Sequence, residues 1–190
     1  MPVEAELKAR VRDVVAVRTA LTMRAERRRA VYHDTYFDAP ERRFMADGHE
    51  LRLRSVETAD SVRHLLTFKA PAVDEASGSK PEQETAVADR DATHEILLGL
   101  GYSVAIEFTK NCENFEFSDN AYDMLATLVT VPELDGTFLE VETIVPSAAE
   151  IAAALDAVRR VLTMLGITED DLTTELYTDA VVQAQAAPRI

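Results

Sequence analysis

The charged residues of this chain fall into two-residue ladders. Glu4, Glu6 and Lys8 alternate with Ala5, Leu7 and Ala9 in "VEAELKARV". Arg52 and Arg54 alternate with Leu51 and Leu53, and Lys69 follows Thr67 between apolar neighbours. Lys80, Glu82 and Glu84 repeat the step, as do Glu140 and Glu142 against Leu139 and Val141. A period of two marks a β-strand with unlike faces, so each ladder gathers its charge on one side. Paired carboxylates without His or Cys are hard oxygen donors of the kind that Mg²⁺ or Mn²⁺ takes. Arginine pairs match the geometry of phosphate.

For one ladder alone the ordinary explanation is a solvated strand face. Two features favour an inward face for the whole set. The charged types repeat in pairs within a strand, whereas a wetted face more often mixes Ser, Thr, Gln and Lys. An antiparallel sheet can also curl into a barrel with a polar lumen and an apolar outside covered by helices. Six glutamates (Glu4, Glu6, Glu82, Glu84, Glu140, Glu142) and six bases (Lys8, Arg52, Arg54, Lys69, Lys80, Lys110) would then be enclosed together. Isolated buried charges are costly and need partners. A divalent metal satisfies the carboxylates and a polyanion the bases, so the implied ligand is a metal-bound polyphosphate.

The elements that must carry these ladders alternate strands with a few helices. "RDVVAVRTALTMRAERRRAV" has apolar residues three or four apart and predicts a helix with a basic exposed face. "YHDTYFDAP" is β-prone, and "RFMADGHELRLRSVE" with "SVRHLLTFKAPAV" reads as a hairpin region turning at Asp47-Gly48. "KPEQETAVA" and "SVAIEFTKNCENFEF" are extended, "DRDATHEILLGLGY" is a short helix closed by Gly101, and "AYDMLATLVTV" fits strand or helix. "GTFLEVETIV" is strand, and "SAAEIAAALDAVRRVLTMLGI" is a helix opened by a Ser147–Glu150 capping box. "TEDDLTTELYTDAVVQA" reads as a further helix. The sum is α+β with a largely antiparallel sheet, one domain over residues 1–182 and a frayed tail over 183–190.

At 190 residues with 47% hydrophobic content, the chain can bury a core without staples. A net charge of −14 opposes nucleic acid and anionic membrane as partners, but not a phosphate held in a local basic site. The sequence shows neither a signal peptide nor a membrane-length apolar run, and Cys112 is its single cysteine; the expected setting is the cytoplasm. His33, His49, His64 and His94 lack metal-ligand spacing and are expected to be structural. Arg24–Arg29 is expected to be a solvated helix face that pairs with acidic residues, and Tyr36 and Phe37 to pack under a strand end. A glycine-rich phosphate loop is missing.

The ladders resemble, block by block, those of the CYTH domain, the triphosphate tunnel metalloenzymes. Glu4, Glu6 and Lys8 match its ExExK signature. "DTYFDAP", "GHELRLR", "LLTFKAP", "KPEQE" and "GTFLEVE" follow in family order from residue 4 to about 142. The resemblance implies a closed eight-stranded antiparallel β-barrel with flanking helices that binds a triphosphate with Mg²⁺ or Mn²⁺. It implies Glu4, Glu6, Glu140 and Glu142 as metal ligands. Lys8, Arg52, Arg54, Lys69, Lys80 and Lys110 are the triphosphate-binding set, with Lys8, Glu82 and Glu84 as the catalytic candidates. Tripolyphosphate, ATP and thiamine triphosphate are the candidate substrates. Hydrolysis is the expected reaction, with cyclisation of ATP by a class IV adenylyl cyclase, or binding without catalysis, as alternatives. A homodimer is compatible with it. Two positions depart from the family pattern: Cys112 stands where an arginine usually follows the later lysine, and Val129 near where many members have an aspartate ahead of the final Glu pair. Asp123 and Asp135 lie nearby but out of register.

Overall fold

Every two-residue ladder becomes a strand. A computed structural model describes residues 1–186. Eight strands form a closed barrel: β1 (Val3–Arg10), β2 (Arg28–Asp38), β3 (Glu50–Glu57), β4 (Val62–Lys69), β5 (Lys80–Val87), β6 (Ser103–Asp119), β7 (Tyr122–Thr130) and β8 (Phe138–Val145). Their order around the barrel is β1-β5-β4-β3-β2-β6-β7-β8, and each pairing is antiparallel. Closure removes free sheet edges and separates an inner from an outer face on every strand.

The outer faces supply the apolar core. Ala5, Leu7, Leu139 and Val141 are buried against Ala154, Val158, Val161 and Leu162 of α4 (Ile151–Met164). On the far side Phe37, Leu51 and Leu53 pack on Leu97 of α3 (Arg90–Gly99). These are the alternate residues of the same strands, so one sequence pattern sends hydrophobes out under helices and charge into the lumen. The remaining helices are α1 (Val14–Thr22), α2 (Arg43–Ala46) and α5 (Tyr177–Ala186). No described helix is long and apolar enough to cross a membrane.

Several local expectations are corrected. Helix α1 stops at Thr22, and Arg28 and Arg29 begin β2 rather than extend a basic helix face. Arg and Ala favour helix intrinsically, but pairing with β6 overrides propensity: Arg28 opposes Asn114 and Arg29 opposes Glu113. The expected pairing of this run with acidic residues holds, with Arg27 3.6 Å and Arg28 3.4 Å from Glu113 and Glu116. Asp47-Gly48 joins α2 to β3; the hairpin turn lies between β3 and β4, at residues 58–61. The Ser147 hydroxyl reaches the Glu150 side chain at 3.2 Å, not a backbone amide, and a 3₁₀ turn precedes α4. "TEDDLTTELYTDAVVQA" is not one helix. A 3₁₀ turn at Glu169–Asp171 gives way to an extended strap, in which the Thr173 N–H donates to the Lys8 carbonyl at 2.9 Å. Residues 183–186 of the expected tail continue α5 to Ala186, and residues 187–190 lie outside the described residues. The region that fitted strand or helix is β7.

Leu139 is fully buried between barrel and helix. Leu139→Ala is expected to cost about 2–5 kcal/mol in urea unfolding, because it leaves a cavity under α4.

Candidate active site

All twelve charged residues singled out by spacing line one cavity inside the barrel. Glu4, Glu6, Lys8, Arg52, Arg54, Lys69, Lys80, Glu82, Glu84, Lys110, Glu140 and Glu142 are joined there by Glu50 and Arg63. Cross-strand register sets their neighbours. Glu6 opposes Glu142 and Lys8 opposes Glu140 on β1 and β8, while Lys69 opposes Glu82 and Thr67 opposes Glu84 on β4 and β5.

The basic residues are held by specific partners. Asp34, buried in β2, takes Arg54 in a fork, with Nε 2.6 Å and Nη2 2.7 Å from its two oxygens. The Tyr32 ring covers the same guanidinium at 4.5 Å. Burial alone would raise the Asp34 carboxyl, but the Arg54 guanidinium outweighs it and holds the group far below the usual carboxylate range. Arg52 Nη2 reaches Thr67 Oγ1 at 3.3 Å, and Thr67 donates to Glu84 at 2.9 Å. Arg52 Nε is buried without a hydrogen-bond partner. The Lys69 ammonium bonds Glu4 and lies 2.9 Å from Glu82. Lys80 pairs with Glu50 at 2.6 Å and donates to the Gly48 carbonyl at 3.1 Å.

The acidic residues divide differently from expectation. Carboxylate oxygens of Glu4, Glu6 and Glu142 lie within 4.8 Å of one another. Glu140 stands outside that group and faces Lys110 at 3.6 Å, which with Lys8 holds its carboxyl below the usual range despite burial. Glu6 and Glu142 have no ion-pair partner among the described residues. Burial, reinforced by neighbouring carboxylates, pushes Glu6 up to about 8 and Glu142 well above its ordinary value. Three clustered carboxylates, two of them uncompensated, fit a hard divalent cation, and this cluster can hold one. No histidine belongs to a metal-ligand group among the described residues. His49 stacks on Phe44, His94 meets Phe37 edge-on, and His64 bonds Ser55.

Four contributors escaped the sequence reading. Glu50 continues the Arg52–Arg54 ladder one step back and was within reach of the same rule. Arg63 stands three residues before Leu66 without a charged partner two residues away. Asp34 sits among polar neighbours, where alternation carries no contrast. Tyr177 comes from a helix, which no strand period reveals. Tyr36 also lines the tunnel, stacked on Phe108 at 5.7 Å, while Phe37 faces out to α3.

The CYTH domain matches residues 3–177 of the chain. The chain belongs to the CYTH family. A Methanocaldococcus jannaschii protein described as a candidate adenylate cyclase is 24% identical over 177 residues, covering 92% of this chain and 96% of its own. A solved structure of a Pyrococcus horikoshii protein is 27% identical with a TM-score of 0.83, over 95% of this chain and 98% of that one. At 15% identity and a TM-score of 0.65, covering 99% of this chain and 98% of its own, a Hippeastrum protein shares the fold. It is described as a candidate adenylyl cyclase with a dominant triphosphatase activity.

The two positions expected to depart from the CYTH pattern face each other. Cys112 and Val129 are direct cross-strand partners on β6 and β7, buried in an apolar cluster with Phe108, Phe138, Tyr177 and Val181. Cys112 is a buried free thiol, and burial pushes it up to about 12. Asp123 instead accepts a hydrogen bond from Ser118 at 2.8 Å, outside the cavity lining.

The raised carboxyls couple folding to pH. Glu6 and Glu142 keep protons in the folded chain that the unfolded chain has already released, so their contribution is full below the unfolded carboxylate value. It is lost as pH rises through the folded value, about 8 for Glu6. Asp34, depressed, acts oppositely and loses its contribution only in strong acid. Metal-free protein is therefore expected to lose stability from about pH 5 to 8, by up to about 1.4 kcal/mol per pH unit for each proton retained. Glu6→Gln is expected to flatten this slope in urea unfolding series.

Proposed function

We propose that this protein is a metal-dependent hydrolase of a triphosphate. The observation that carries the reading is the uncompensated carboxylate pair Glu6–Glu142 beside a tunnel wall rich in bases. Glu4, Glu6 and Glu142, with Glu140 adjacent, would hold Mg²⁺ or Mn²⁺. Bound there, the metal would supply charge stabilisation to phosphate oxygens and polarise the reacting phosphorus. Arg52, Arg54, Lys69, Lys80 and Lys110 would grip the triphosphate and stabilise charge as it shifts in the transition state. Glu82 and Glu84 would keep Lys69 and Arg52 aimed, through the contacts described above. Lys8, whose ammonium is weakened chiefly by burial, would contact the anion and exchange a proton near the attacking water.

The lining also bears on what the phosphates are attached to. Tyr32, Val56 and Leu65 form an apolar patch, and Arg63 opposes Val56 across the sheet. Such a patch favours an organic group over bare tripolyphosphate. Cyclisation of ATP would use the same grip with a ribose hydroxyl as nucleophile, and the adenylate cyclase descriptions of relatives keep that reading open. The proposed setting is the cytoplasm, in keeping with the free thiol of Cys112.

The deciding experiment offers tripolyphosphate, ATP and thiamine triphosphate with Mg²⁺ or Mn²⁺. Phosphate release is the expected result. Cyclic AMP with pyrophosphate would make the protein a cyclase, and tight binding without product would make it a binding module. The double variant Glu4→Gln/Glu6→Gln is expected to lose at least about 100-fold in turnover; full turnover would overturn the metal assignment. Leu65→Asp is expected to raise KM for the organic substrates while leaving that for tripolyphosphate near its starting value.

A further inference from the structure

Tyr177 opens α5 and enters the tunnel from its end, not from the barrel wall. Its ring carries two ammonium groups: Lys110 Nζ lies 4.1 Å and Lys8 Nζ 4.5 Å from the centroid. Its hydroxyl is buried beside Glu140 without an aligned hydrogen bond. We propose that Tyr177 is a positioning residue whose ring holds the Lys8 and Lys110 side chains together at the tunnel's end, so that both ammoniums meet the bound anion. This rests on the triphosphate reading above.

The physical basis is a competition for two cations. Glu140 lies 3.6 Å from the Lys110 ammonium and opposes Lys8 across the sheet. A carboxylate that drew either ammonium wholly to itself would withdraw it from the ligand. An aromatic face attracts an ammonium through its quadrupole and adds no net charge. The ring therefore offsets part of the desolvation of two neighbouring like charges and leaves both available to phosphate oxygens. Two ammoniums on one ring repel each other, so an attractive face between them is what keeps them side by side.

The fold fixes the ring from both sides. Val181, one turn along α5, is fully buried in the cluster with Cys112 and Val129. Ahead of the ring, the strap bonds to β1 through the Thr173 N–H at 2.9 Å, and the Glu175 carbonyl accepts from the Lys8 ammonium. Phe138 meets the Tyr177 ring edge-on at 5.2 Å. Nothing in the apolar plug requires the ring to carry cations, so the arrangement serves the tunnel rather than the core.

The test is titration calorimetry of tripolyphosphate with Mg²⁺ into the wild-type chain, Tyr177→Phe and Tyr177→Leu, each checked for a cooperative melt. Tyr177→Phe, which keeps the ring, is expected to bind within about twofold of wild type, and Tyr177→Leu about tenfold more weakly. Equal weakening in both variants, or full affinity in Tyr177→Leu, overturns the proposal. If Tyr177→Leu does not fold, carbon-labelled wild-type protein decides: the ε-methylene protons of Lys8 and Lys110 are expected to show upfield ring-current shifts, and ordinary shifts overturn the proposal. Wild-type protein that binds no tripolyphosphate, ATP or thiamine triphosphate would instead sink the triphosphate reading, and this inference with it.

Discussion

Compensation of charge inside a closed barrel governs this structure. Seven glutamates and seven lysines or arginines line the cavity, with Asp34 buried behind Arg54. Such groups lose hydration on enclosure, and mutual pairing is what makes the enclosure tolerable. Pairing is good around Arg54, Lys69 and Lys80, where each cation has a close carboxylate. It is poor at Glu6 and Glu142, where carboxylates meet each other, and at Arg52 Nε, which is buried without a partner. The acidic and basic shortfalls lie in one cavity. A metal and a polyanion, taken together, relieve both; neither alone does.

The apolar exterior and the charged interior are two consequences of one constraint. A strand residue displaced by one position would bring Leu139 inward and expose Glu140 to α4. Register is thus pinned from both sides, by the helix that needs Leu139 and Val141 and by the lumen that needs Glu140 and Glu142. Stability and site geometry share their causes here. The α4 helix, outside the lumen, holds the β1–β8 pair on which Glu4, Glu6 and Glu142 meet.

Much of this was legible in the sequence because strand parity is rigid. Once the ladders were read as inward, all twelve predicted side chains shared a lumen. Parity says which face, however, and not which neighbour. Glu140 and Glu142 look alike in "FLEVETIV", yet Glu142 joins Glu4 and Glu6 while Glu140 is drawn to Lys110. That division depends on stagger between strands far apart in sequence. The end of α1 was illegible for a related reason: "RAERRR" favours helix locally, and the acidic face of β6 that claims Arg27 and Arg28 lies more than eighty residues on. Tyr177 was hidden because a helix, not a strand, delivers it.

Cys112 and Val129 show how the charged lumen ends. They are direct partners across β6 and β7. A charge buried at either position without a partner opposite would be costly, whereas two apolar side chains meeting there need no compensation. Phe108, Phe138 and Val181 close over both side chains. The cluster seats α5 and, through it, Tyr177 against the two lysines. An apolar anchor at the tunnel's end thus places a ring beside the charge lattice without adding charge to it.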